Sequence, residues 1–123
     1  MEVKNLEQIS PFITKDGSEI RELLAYRNSS IRNMSLAEAR LVPSQSTQAH
    51  RHQKTEEIYF ILEGTGLMQI EDELQFVREG DAIAIPPGTL HRITNTGGDT
   101  LRFLCCCAPP YEHDDTVIES ETS

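Results

Sequence analysis

From Ser35 to Cys107 the sequence is a succession of short apolar or alternating runs, each of strand length and each ended by turn residues. That rhythm is the pattern of a β-sandwich or barrel, and helix signals are weak throughout. The runs are Ser35 to Val42, Gln48 to His52, Glu57 to Leu62, Gly66 to Ile70, Ala82 to Pro86, Leu90 to Asn95 and Leu101 to Cys107. Between them lie stretches such as Pro43-Ser44-Gln45-Ser46, Gln53-Lys54-Thr55, Glu71-Asp72-Glu73 and Pro86-Pro87-Gly88, which are turn-like by composition. Short turns between consecutive strands predict antiparallel pairing. Residues 18–26 are read as one more strand, although their period fits a helical turn as well.

A chain of 123 residues is long enough to bury one core and too short for two. No internal repeat divides it. The expected organisation is an N-terminal segment over residues 1–30, a barrel over 31–110 and an acidic tail over 111–123. The tail, from Glu112 on, is too poor in apolar residues to pack well by itself, and its end is expected to be mobile.

Twenty acidic residues against eleven basic ones give a formal charge of -9, which repels phosphate backbones and anionic membrane surfaces. Neither nucleic acid nor membrane is therefore an expected partner. No basic, apolar leader is recognisable, and no apolar run approaches the roughly 20 residues that cross a bilayer. The cysteines Cys105, Cys106 and Cys107 are consecutive, so neighbours on a strand point to opposite faces and pair poorly as disulfides. Reduced thiols fit a cytoplasmic location.

The chemistry concentrates in QAHRHQKTEEIYFILEG and GDAIAIPPGTLHRITN. His50 and His52 lie two apart on an expected strand, so both imidazoles leave the same face. Glu56 or Glu57 opens the next strand, where an antiparallel neighbour can set one carboxylate opposite them. His91 follows the turn at Pro86-Pro87-Gly88 and offers a fourth ligand. Three neutral imidazoles and one carboxylate suit a first-row dication and leave it about one net positive charge, attractive to anionic ligands. On a six-coordinate ion two positions stay open for water, oxygen or a chelating substrate. Taken one at a time, these residues are as readily partly exposed histidines, a strand-end cap and solvated carboxylates.

Spacing separates these readings. His50, His52, Glu57 and Gly64 fit G-x5-H-x-H-x3 or 4-E-x6-G, and Gly80, Pro86, Gly88, His91 and Asn95 fit G-x5-P-x-G-x2-H-x3-N. In these two motifs the chain resembles the cupin superfamily, over about Ser35 to Pro110, and in its short motif spacing it is similar to compact single-domain conserved-barrel cupins, often labelled mannose-6-phosphate isomerase-like. The resemblance selects Glu57 over Glu56 as the carboxylate ligand. One position departs from it, because Ser44 stands where the first motif has its leading glycine.

The resemblance implies an all-β, jelly-roll barrel that holds one divalent transition metal (iron, manganese, nickel or zinc) with His50, His52, Glu57 and His91. Many members form homodimers by exchanging N-terminal strands, which makes residues 1–30 the candidates for such an exchange. Gly64 and Gly80 suit positive φ at strand ends, and Gly88 suits the tight turn that aims His91 inward. Alternation from Glu57 and His91 places Tyr59, Ile61 and Ile93 inside, and places Leu101, Phe103, Cys105 and Cys107 on the face opposite Arg102. Cys105 is read as a small buried hydrophobe, Tyr59 as core with a satisfied hydroxyl, and His113-Asp114-Asp115 as a solvated charge run. The expected function is that of a metal-dependent enzyme on a small oxygen-rich or anionic substrate, of dioxygenase, isomerase or decarboxylase type. The alternative is a cupin that binds or senses a small ligand without turning it over. No catalytic residue beyond the metal ligands stands out.

Overall fold

The computed structural model describes residues 1–119. Eleven strands follow one another: β1 (Phe12–Ile13), β2 (Glu19–Leu24), β3 (Ser35–Leu41), β4 (His50–His52), β5 (Glu56–Glu63), β6 (Thr65–Ile70), β7 (Glu73–Arg78), β8 (Ala82–Ile85), β9 (His91–Asn95), β10 (Leu101–Ala108) and β11 (Thr116–Ile118). The only helical elements among the described residues are the single 3-10 turns Leu6–Gln8 and His113–Asp115. No helix among those residues is long and apolar enough to cross a membrane.

The strands form two antiparallel sheets, ordered β1-β2-β3-β10-β5-β8 and β11-β4-β9-β6-β7. Their inner faces enclose one core around Leu41, Ile61, Ile93, Leu101 and Phe103, all buried, as a jelly-roll barrel requires. Parity does the sorting. On β5 Glu57, Tyr59 and Ile61 are buried while Glu56, Ile58 and Phe60 are exposed, and on β10 Leu101, Phe103, Cys105 and Cys107 go inward. Arg102 faces outward as expected, where it and Arg40 cover Glu38, whose carboxylate accepts from Arg40 Nε at 2.6 Å and Arg102 Nε at 2.8 Å.

Several elements differ from the sequence reading. Only β1–β2, β2–β3 and β6–β7 pair with their immediate successors, and the other short connections carry the chain from one sheet to the other. Strand β7 is missing from the expected runs because its apolar residues sit on both parities: Leu74 and Phe76 face solvent and Val77 faces the core, so no alternation marks it. Within the chain, β1 pairs with β2 and β2 with β3. The tail is not loose up to Glu119. Strand β11 pairs with β4, and the Asp115 carboxylate accepts from the backbone N–H groups of Lys54 and Thr55 at 3.0 and 3.1 Å. Backbone pairing and one buried threonine anchor this segment where hydrophobic content alone would not. The expected mobile end falls on residues 120–123, outside the described residues.

At the departure from the glycine pattern, Ser44 adopts φ +72°. Val42 to Gln45 form a turn closed by Gln45 N–H to Val42 O at 3.0 Å, with Pro43 in its second position and Ser44 in its third. That position of a type II turn demands the left-handed region, so the serine takes a conformation that glycine enters freely.

Candidate metal centre

His50 and His52 leave the inner face of β4, one on either side of the outward Arg51, and are 1% and 4% exposed. His91 begins β9 and is the cross-strand partner of His50, which brings their ring centroids to 4.1 Å. The turn before His91 is tied to the first pair, because Gly88, at φ +75°, donates its N–H to the carbonyl of His52 at 2.7 Å. A side chain at that φ would be strained, which gives the motif glycine its physical reason. The ligand atoms of His50, His52 and His91 all lie within 4.8 Å of one another.

Glu57 reaches this cluster from the other sheet. The sequence reading set its carboxylate opposite the histidines on a paired neighbour, but β4 and β5 belong to different sheets and Glu57 faces them across the barrel interior. Glu57 Oε1 lies 3.2 Å from His52 Nε2 and 3.6 Å from His91 Nε2. Its Oε2 accepts from Cys107 Sγ, on the adjacent strand, at 3.2 Å. Glu56 points out to solvent.

The remaining ring nitrogens fix the direction of the donors. His50 Nδ1 donates to Gln48 O at 2.7 Å and His91 Nδ1 to Thr89 O at 2.9 Å. His52 Nδ1 is 3.0 Å from Thr116 Oγ1, whose own hydrogen goes to Glu112 O, so this oxygen accepts as well. In each neutral ring the proton is therefore on Nδ1 and the lone pair on Nε2. Three lone pairs and a carboxylate then face one another in a buried space. Glu57 Oε1 and His91 Nε2 have no hydrogen-bond partner there. Acceptors without donors are costly when buried, and a cation satisfies all of them at once. The residues present thus fit a metal ion.

Burial, with the neighbouring His91 charge, pushes the His50 imidazolium down to about 4 against the opposing pull of Asp16, whose Oδ2 is 3.4 Å from His50 Nε2. Burial alone would raise Glu57, but His52 and His91 outweigh it and hold the carboxyl down to about 2. Burial raises the Cys105, Cys107 and Tyr59 groups well above their ordinary ranges, so these thiols and this phenol stay protonated.

A pocket adjoins the cluster between the two sheets, lined on its apolar side by Phe12, Ile20, Ala39, Tyr59 and Phe103 and on its polar side by Asp16, Ser18, Tyr111 and Thr116. Sequence reasoning missed Asp16, Thr116 and the contact of Cys107, as distinct from Cys105, with Glu57. Asp16-Gly17 signals a hairpin turn but gives no direction, and Thr116 lies in the stretch read as a tail. Asn95, which completes the second motif, stands outside the site: its side-chain amide donates to Leu41 O and Asp99 O at 3.0 and 2.8 Å and closes the turn after β9. His113 is exposed and belongs to neither the cluster nor the pocket.

Comparison with known proteins agrees with the geometry. The Cupin domain family matches residues 37–107, more than half of the chain. An uncharacterized protein of Methanocaldococcus jannaschii is 50% identical over 112 residues, covering 91% of this chain and 90% of its own length. An oxalate-binding protein of Thermotoga maritima is 35% identical over 68 residues, which cover 55% of this chain and 56% of that protein. Among solved structures, a predicted oxalate decarboxylase from Thermotoga maritima superposes with a TM-score of 0.78 at 28% identity, covering 88% of this chain and 99% of that one. The polyketide cyclase RemF from Streptomyces resistomycificus gives a TM-score of 0.82 at 26% identity, over 98% of this chain and 88% of the other. With a family match over most of its barrel and both histidine motifs on the inner face, this chain belongs to the cupin family.

Proposed function

We propose that this cupin holds one divalent first-row metal, iron, manganese, nickel or zinc, through His50, His52, Glu57 and His91, and acts as a metal-dependent enzyme on a small oxygen-rich ligand. The observation that carries this reading is the acceptor-only cluster: converging Nε2 lone pairs and a carboxylate, with Glu57 Oε1 and His91 Nε2 buried and unpartnered. A bound ion would supply Lewis acidity toward a ligand oxygen. The chain's own residues do the rest. Gln48, Thr89 and Thr116 orient the three imidazoles, Cys107 holds the far oxygen of Glu57, and Phe103 with Ile20 keeps the adjoining pocket poor in water. The buried, protonated Tyr59 beside His91 can donate a hydrogen bond but cannot serve as a base.

Elemental analysis of protein purified without added metal tests the centre. His52→Ala and His91→Ala are expected to lower metal affinity sharply and His113→Ala to leave it unchanged; equal losses in all three contradict the assignment. A second reading, ligand capture without turnover, is favoured by the likeness to an oxalate-binding protein. Calorimetry with oxalate, followed by mass analysis of the recovered ligand, separates the two, since only turnover alters the mass.

A homodimer and a cytoplasmic location complete the proposal. Ile58 and Phe60, exposed side by side on the outer face of β5, supply apolar surface for a second copy, and light scattering tests it. The free thiols of Cys105, Cys106 and Cys107 persist most readily in a reducing compartment.

A further inference from the structure

The hairpin between β1 and β2 delivers a second carboxylate to the same cluster. Asp16 Oδ1 is saturated: it accepts from Thr14 Oγ1 at 2.7 Å, Ser18 N at 2.9 Å and Ser18 Oγ at 2.6 Å. This leaves Oδ2 directed at His50 Nε2, 3.4 Å away, on a side chain that is 13% exposed. No donor among the described residues bonds Oδ2. With His50 Nδ1 donating to Gln48 O, His50 Nε2 carries a lone pair in the neutral ring, so the two atoms are again acceptors facing each other.

The loop is built to hold this position. Gln48, two residues before His50, donates its N–H to Asp16 O at 2.8 Å while its carbonyl fixes the His50 ring at 2.7 Å. Gln45 Nε2 donates to Gly17 O at 3.1 Å, and Lys15 Nζ donates to Thr116 O at 2.8 Å, the backbone of the residue that orients His52. The backbone of one residue, Gln48, therefore ties Asp16 to one ligand histidine, and the neighbouring Lys15 ties the hairpin to the strand behind another.

Neighbouring donors on an ion with bonds of about 2.1 Å lie about 3.0 Å apart in an octahedron and about 3.4 Å apart in a tetrahedron. Asp16 Oδ2 lies at such a spacing, 3.4 Å, from His50 alone, and Glu57 Oε1 from His52 and His91, at 3.2 and 3.6 Å; the ligand atoms within 4.8 Å of one another are those of the three histidines, so both carboxylates close in from the rim to share one ion. We infer that Asp16 is a fifth protein donor to the metal, supplied by the β1–β2 hairpin from outside both histidine motifs. This rests on the metal-binding reading and narrows it. Two carboxylates leave a dication with no net charge, and a six-coordinate ion keeps one open position. The substrate class becomes ligands that reach the metal through a single oxygen, in place of dianions that chelate through two.

Cobalt(II) uptake tests this without any assay of turnover, by comparing wild-type protein with Asp16→Asn, which keeps an acceptor for the Ser18 N–H. The variant is expected to lose on the order of tenfold to a hundredfold in cobalt affinity, measured by chelator competition, with a changed visible d–d spectrum. Asp16→Ser, which removes the carboxylate with a small polar side chain, should reproduce the change. Wild-type affinity and spectrum in both variants overturn the inference. So does weakened binding with an unaltered spectrum, which would put Asp16 outside the coordination sphere. A wild-type protein that takes up no cobalt instead overturns the metal-binding reading itself.

Discussion

Cys107 Sγ donates to Glu57 Oε2 at 3.2 Å from the position directly across the β5–β10 ladder. The thiol is one of three consecutive cysteines, and the contact exists because only odd-numbered residues of β10 face inward. It leaves Oε1 as the oxygen that faces the histidines. Removing it in Cys107→Ala takes the donor from a buried carboxylate, which should cost about 1 kcal/mol of stability and on the order of tenfold in metal affinity. Cys107→Ser keeps a donor and should lose less. Denaturant unfolding and chelator competition on the three proteins decide it, and identical affinities would show that the thiol does not position Glu57.

Thr116 performs the corresponding task for His52. Because Thr116 Oγ1 gives its proton to Glu112 O, it accepts from His52 Nδ1 and keeps the Nε2 lone pair turned inward. Thr116→Val preserves the shape and removes the acceptor. Metal affinity should drop on the order of tenfold to a hundredfold while β11 stays paired with β4. Retained affinity in a folded variant would assign Thr116 to packing alone.

Ser44 offers a gain. A non-glycine residue in the left-handed region is strained by about 1–2 kcal/mol, part of which glycine returns through its greater freedom in the unfolded chain. At φ +72°, Ser44→Gly should therefore raise stability by roughly 0.5–1 kcal/mol with no change at the histidines. Thermal unfolding checks this, and a lower midpoint than wild type would refute the strain.

The metal-free protein should weaken in acid in a defined order. His50 has an ordinary value of 6.5 and is pushed down to about 4 in the folded state, so between these values the unfolded chain binds a proton that the folded chain does not. Its contribution is complete above pH 6.5 and is lost as pH falls toward about 4. Glu57, lowered from 4.5 to about 2, adds a loss of the same sign over that lower window. Thermal midpoints of metal-free protein that stay level from pH 6.5 down to about 4 would contradict this. His50→Asn should flatten the upper part of the decline.

What local periodicity controls is legible in the order of residues alone. Alternation on Glu57-Ile58-Tyr59-Phe60-Ile61 and on the segment from Leu101 to Cys107 decides which side chains enter the barrel, because a strand has a period of two whatever it pairs with. The same rule set His50 and His52 on one face and sent Glu56 outward. Glycine and proline marked the turn that aims His91, through backbone limits that are local as well.

Which faces meet depends on how the two sheets close over each other. Glu57 opposes the histidines across the interior and not along a ladder, since the short turn at Gln53-Lys54-Thr55 changes sheets where the sequence reading had it fold back. Asp16, Cys107 and Thr116 come from segments 34, 57 and 66 residues away from His50, and no periodicity links residues across such separations. Their directions are set by hydrogen bonds between distant backbones, Gln48 N–H to Asp16 O and the β4–β11 ladder, which exist only once the barrel has closed.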